Sequence, residues 1–151
     1  MSKWSDTLSD RLNHRAEDDR LSNQKSSRDA IILDGGLVEL WSQVTALTEA
    51  ACKDVNQNRA IKIELVYLLQ GNQFVVGRPD SPDKIKTSVD KERRAIRIQL
   101  QTKYSKPFDR TIVVKLDRAD GYYFASKDGP TADDDIVSTT VHESLDALMG
   151  L

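Results

Sequence analysis

The chain has few of the residues from which covalent and metal-based sites are built. Its 151 residues include a single cysteine, Cys52, and two histidines. One cysteine cannot form an internal disulfide or supply a multi-cysteine zinc site. We therefore expect packing alone to stabilise the fold, and we expect no metal and no other cofactor.

Long hydrophobic runs are also missing. The longest apolar stretch, Ile63 to Leu69, contains Glu64 and is much shorter than the roughly 18 residues that cross a membrane. The N-terminus carries a charge every few positions, where a secretory signal would place an apolar core of about 7–15 residues. These observations predict a cytoplasmic protein that does not associate with a membrane.

Sequence motifs typical of enzymes are missing as well. There is no Gly-x-Ser-x-Gly nucleophile motif, and Asp34-Gly35-Gly36 lacks the Lys and Ser/Thr of a phosphate-binding loop. His142 and Asp146 have the spacing of two metal ligands on a helix, but no third ligand is indicated. Cys52 could form a catalytic pair with His142 only if their helices crossed on suitable faces. We expect a protein that is not an enzyme.

Charge is balanced in total but not along the chain. The formal net charge of −2 divides into 0 for residues 1–30, −3 for 31–57, +7 for 58–127 and −6 for 128–151. Such an asymmetry has two explanations: the segments neutralise each other inside the fold, or the basic segment attracts an anionic partner. The first is the more common arrangement in soluble domains.

Helical periodicity dominates the first third of the chain. Trp4, Leu8 and Leu12 recur every four residues and predict a weakly anchored helix over 3–20, followed by a polar linker over 22–29. The two glycines at 35 and 36 predict a turn, because each costs a helix about 1 kcal/mol relative to alanine. Apolar residues at spacings of three and four then predict a helix over 37–55, with Cys52 on its buried face.

After residue 59 the apolar period changes to two, which predicts strands joined by short turns. The strands are expected at 61–69, 74–76, 84–89, 96–100, 112–116 and 122–125, the first of them central or covered because its far end is apolar on both faces. A final helix is expected over 136–149, begun by the aspartates at 133–135. The predicted fold is α+β: an antiparallel β-meander of five or six strands, packed on one face by N-terminal helices and a C-terminal helix. We expect residues 1–29 to form a weakly anchored N-terminal helix with a polar linker, and residues 30–151 to form a single α+β domain.

The outer face of this sheet suggests one candidate interface. If Asp120-Gly121 forms a two-residue turn, Leu116 lies opposite Ala125, and Tyr122 shares a face with Arg97. Aromatic rings among cations are typical of surfaces that bind single-stranded nucleic acid. The residues of this hypothesis are Arg93, Arg94, Arg97, Lys103, Lys115 and Tyr122. A change of one residue in the loop would reverse the faces and bury the rings.

The N-terminal extension suggests a second candidate interface. An apolar stripe of Trp4, Leu8 and Leu12 can dock on its own sheet, on a second copy of the chain, or in a groove of another protein. Tryptophan exposed on a thin stripe is unfavourable unless something covers it. The leading prediction is therefore a non-enzymatic protein-interaction or adaptor domain that associates with itself, and single-stranded nucleic-acid binding is the alternative.

Overall fold

A computed structural model describes residues 3–103, 107–127 and 135–151. Within these residues, two helices enclose a run of six strands. In order they are α1 (Lys3–Gln57), β1 (Val66–Gln70), β2 (Gln73–Gly77), β3 (Lys84–Asp90), β4 (Ala95–Gln101), β5 (Asp109–Leu116), β6 (Tyr122–Ser126) and α2 (Ile136–Leu148).

The six strands form one antiparallel sheet in the order β1-β2-β3-β4-β5-β6, so each strand pairs with its neighbours in sequence. Both helices pack on the same face of the sheet and share its hydrophobic core. This arrangement confirms the predicted α+β meander with helices on one face.

The register explains why one face is apolar and the other polar. Phe74 pairs with Thr87 and Thr87 with Ile98, which forms a buried row beneath the helices. Arg97, one residue earlier in β4, pairs with Ser88 and Thr111 on the opposite face. We call this opposite side the outer face. The alternation has period two because successive side chains of a strand point to opposite sides.

Helix α1 corrects two predictions, because neither the linker at 22–29 nor the turn at 34–36 exists. The helix runs without a break from Lys3 to Gln57. At Gly36 it crosses the sheet so closely that an added Cβ would lie 2.6 Å from Val114 Cγ1 and 2.8 Å from Tyr122 Cγ. Packing on the sheet thus compensates for the intrinsic helix cost of the two glycines.

Strand β1 corrects a third prediction. It begins at Val66 instead of residue 61, and it lies at an edge of the sheet instead of its centre. The preceding residue, Leu65, pairs with the Asn56 side chain: its N–H donates to Oδ1 and its carbonyl accepts from Nδ2, both at 2.8 Å. The Asn56 amide therefore satisfies the two backbone groups of Leu65, as a neighbouring strand would. It connects the last turn of α1 to the start of the sheet.

The register of β5 and β6 corrects a fourth prediction. Leu116 pairs with Tyr122, and Val113 with Ala125, so the connecting loop has five residues and not two. The N–H of Asp117 donates to the Gly121 carbonyl at 2.8 Å and closes this loop. As a result Tyr122 lies on the face that the helices cover, beside Gly36, and not on the outer face.

The final helix begins at Ile136, directly after Asp135, as the aspartate run predicts. Asp133 and Asp134 lie outside the described residues.

Candidate functional site

The first half of α1 extends away from the sheet. Every residue from 3 to 27 is exposed, and we call this segment the arm. At 1.5 Å per residue the arm is about 37 Å long. At the base of the arm, Arg28 Nη2 lies 2.9 Å from Asp120 Oδ1 in the β5–β6 loop.

Three large apolar side chains lie along the outer end of the arm. Trp4 is 73% exposed, Leu8 40% and Leu12 57%. Each lies 36 residues, or about ten helical turns, before a residue of the sheet-packed half: Leu40, Val44 and Thr48. Those three residues are buried against the core. The arm therefore carries its apolar stripe on the same side of α1 that packs on the sheet.

The cations proposed for nucleic-acid binding do not form a continuous free surface. Arg94 has a positive φ of 48° in the β3–β4 turn, and its Nε lies 2.9 Å from Asp34 Oδ1 of α1. Arg97 pairs with Asp109 through two hydrogen bonds, Nε to Oδ1 at 3.0 Å and Nη2 to Oδ2 at 2.5 Å. Arg93 Nε lies 3.8 Å from Asp90 Oδ2. Each of these three arginines thus has a carboxylate partner within the fold.

The other members of the set are dispersed. Lys115 lies on the outer face opposite Tyr123, while Lys103 follows the end of β4. Tyr122 is on the opposite face of the sheet, where its ring centroid lies 5.6 Å from that of Phe124. The structure brings Arg93 and Arg97 together and separates Arg94 and Tyr122 from them.

Cys52 is buried on the apolar face of its helix, as predicted, and is 3% exposed. Burial, and next the negative charge of Glu49, raise the pKa of its thiol from an ordinary 9.0 to about 11. His142 is instead exposed on α2, where its Nδ1 lies 3.5 Å from Ser138 Oγ. This environment disfavours a cysteine thiolate and so weakens the hypothesis of a catalytic pair. Within the described residues, no group of three or more His, Cys, Asp or Glu side chains could hold a metal ion.

Sequence reasoning did not find a cleft on the outer face, where β3, β4 and β5 lie side by side. Its lining includes Lys127, Asp90 and Asp109, which the sequence analysis did not single out. The available signal was a set of small residues at outward positions of adjacent strands: Ser88, Ala95, Thr111 and Val113.

Helix α1 also bears on the predicted lack of membrane association. It contains an 18-residue stretch that is long and apolar enough, by composition alone, to cross a membrane, and 22% of that stretch is buried in the fold. A core helix of a folded domain can have the same composition, and the second half of α1 packs on the sheet. The cytoplasmic location and the lack of membrane association stay predictions.

No protein family model, curated protein or solved structure matches this chain.

Proposed function

We propose that this protein is a non-enzymatic interaction domain that associates with a second copy of itself through the arm. The observation that carries the proposal is the exposed stripe of Trp4, Leu8 and Leu12, aligned with the buried stripe of the same helix. Side chains of this size are strongly stabilised when they leave water, each by about 1.5–3 kcal/mol when fully buried. A partner on this side of the arm would provide that burial.

Charge supports a second copy as the partner. The arm carries five basic and five acidic residues, spread along its length. A neutral surface of interleaved charges neither repels a copy of itself nor selects a partner of one sign. In a twofold pair the same stripe serves both chains, so three apolar side chains on each copy are covered together.

The test is the molar mass of the full chain in solution, measured by sedimentation equilibrium over a range of concentrations. We expect a monomer–dimer equilibrium for the natural sequence. In Trp4→Ala/Leu8→Ala/Leu12→Ala the dimer should dissociate, with a dissociation constant raised at least about a hundredfold, because most of the apolar area of the contact is lost.

The matched control truncates three other exposed apolar residues of α1, in Leu21→Ala/Ile31→Ala/Val38→Ala. These side chains are 52%, 73% and 71% exposed and lie on other faces of the helix. The control variant should dimerise like the natural chain. A natural chain that stays monomeric, or a control that loses the dimer equally, would contradict the proposal.

A further inference from the structure

The outer face of the sheet contains a cleft of about 880 Å³. Its floor is formed by the small side chains of β3, β4 and β5: Ser88, Ala95, Thr111 and Val113. Ala95 pairs with Val113, and Ser88 and Thr111 lie on either side of Arg97. The volume is within the range of about 300–1,000 Å³ that is typical of small-molecule sites. Both helices pack on the other face, so none of the described helices fills this space.

The charged side chains of the cleft have a positive excess. Three cations, Arg93, Arg97 and Lys127, lie there with two carboxylates, Asp90 and Asp109. The hydrogen bonds from Arg97 hold the pKa of Asp109 below its ordinary value, and the charges of Arg97, Arg110 and Lys127 act in the same direction, against the effect of burial. Asp109 is therefore ionised at neutral pH and fixes the position of Arg97.

The cations also have unused donors. The pairing with Asp109 uses Nε and Nη2 of Arg97, and among the described residues Nη1 has no hydrogen-bond partner. No described carboxylate lies within 4.0 Å of Lys127 Nζ, and the contact of Arg93 with Asp90 is a long one at 3.8 Å. Ser88 and Thr111, which each carry a hydroxyl group, also line the cleft.

We propose that this cleft binds a small molecule through an oxyanion, a phosphate or a carboxylate, held by Arg93, Arg97 and Lys127. The Ser88 and Thr111 hydroxyls supply further donors, and the apolar floor at Ala95 and Val113 contacts the body of the molecule. Arginine donors suit such groups because they form charge-assisted hydrogen bonds to two oxygens at once. This site is separate from the arm and does not depend on self-association.

The test is a titration of the full chain with inorganic phosphate and, separately, with acetate, at constant ionic strength, followed by amide chemical shifts in NMR. We expect saturable shifts at the cleft residues. The anion that binds more tightly identifies the class of oxyanion. In Arg93→Gln/Lys127→Gln the apparent dissociation constant should rise about tenfold or more, because charge-assisted hydrogen bonds are lost.

The matched control is Lys84→Gln/Lys115→Gln, which removes the same charge from the outer face but outside the cleft. This variant should bind the anions like the natural chain, and both variants should keep the thermal stability of the natural chain because all four side chains are on the surface. Equal weakening in the control would overturn the proposal, as would an absence of shifts in the cleft. A thymidine oligonucleotide that bound more tightly than phosphate, with shifts reaching Lys84 and Lys115, would also overturn it in favour of a nucleic-acid surface.

Discussion

At the scale of single residues, the two consecutive glycines of α1 have opposite roles. Both are helical, but an added Cβ at Gly36 would collide with Val114 and Tyr122, whereas at Gly35 it would meet nothing within 4 Å. Alanine stabilises a helix by about 1 kcal/mol relative to glycine, and overpacking a core costs about 1–3 kcal/mol. Gly36 is therefore required for the close approach of helix and sheet.

We predict that Gly35→Ala raises the free energy of unfolding by up to about 1 kcal/mol. Gly36→Ala should lower it by about 1–2 kcal/mol, because the gain in helix propensity offsets only part of the collision. Urea unfolding of the two variants beside the natural chain measures both changes. The expected result is a difference of sign, and two variants of equal stability would show that α1 does not pack closely on β5 and β6.

Cys52 provides a second prediction at this scale. With its pKa raised to about 11, the folded thiol has about a hundredfold less thiolate at pH 8 than an exposed cysteine. Alkylation by iodoacetamide should therefore be at least about a hundredfold slower in the native protein than in urea.

The direction of the pKa shift also fixes a pH dependence. Unfolding frees the thiol to ionise, so its contribution to stability is intact below pH 9 and is lost as the pH rises from 9 towards 11. The Cys52→Ala variant should lack this loss of stability at alkaline pH. Urea unfolding of the natural chain and of the variant over this pH range measures the difference in their free energies of unfolding. Rapid alkylation of the folded chain at pH 8 would contradict the burial of the thiol.

At the scale of elements, Asn56 connects the end of α1 to the edge of the sheet. Its amide satisfies both backbone groups of Leu65, a residue that is 3% exposed. We predict that Asn56→Ala lowers the free energy of unfolding by about 1–2 kcal/mol, because two partly buried backbone groups lose their partners. Asn58→Ala is the control, since Asn58 Oδ1 accepts one hydrogen bond from the Ala60 N–H at an exposed site. Denaturant unfolding measures the stability of both variants. An equal loss of stability in the control would contradict a special role for Asn56.

The strands and the helix of the sheet-packed half were predictable because their signals are local. Ile96, Ile98 and Leu100 alternate with polar residues, and alternation alone assigns a strand and its faces. The continuity of α1 was not predictable. The cost of glycine is local and can be estimated from the sequence, whereas the contact of Gly36 with Val114 joins residues far apart in the chain.

The candidate sites also divide into a part that local sequence signals predict and a part that depends on the tertiary structure. The exposed stripe of the arm follows from the four-residue spacing of Trp4, Leu8 and Leu12, which the sequence displays. The position of Tyr122 depends on the length of one loop, and Asp120-Gly121 is compatible with a two-residue or a five-residue connection. An error of this kind reverses the faces of a whole strand.

At the scale of the whole molecule, part of the uneven charge is neutralised inside the fold. Asp34, in the acidic segment 31–57, pairs with Arg94 of the basic segment, whereas the pair of Arg28 with Asp120 uses a carboxylate of the basic segment and does not reduce its positive excess. These pairs hold the base of the arm and the middle of α1 to two loops at the same end of the sheet. Each is partly exposed and contributes little to stability on its own.

The close contact at Gly36 has a consequence for synthesis of the chain. Helix α1 leaves the ribosome before the sheet, and Val114 and Tyr122, which Gly36 contacts, follow Gly36 by about 80 residues. At roughly 5–20 residues per second the apolar side of the helix stays in solvent for several seconds before its sheet is complete. The strands, each of which pairs with its neighbours in sequence, can form their hairpins as they emerge. During that interval the nascent chain exposes the residues that will become its core, together with the apolar residues of the arm, as two apolar stretches of α1 separated by a polar one.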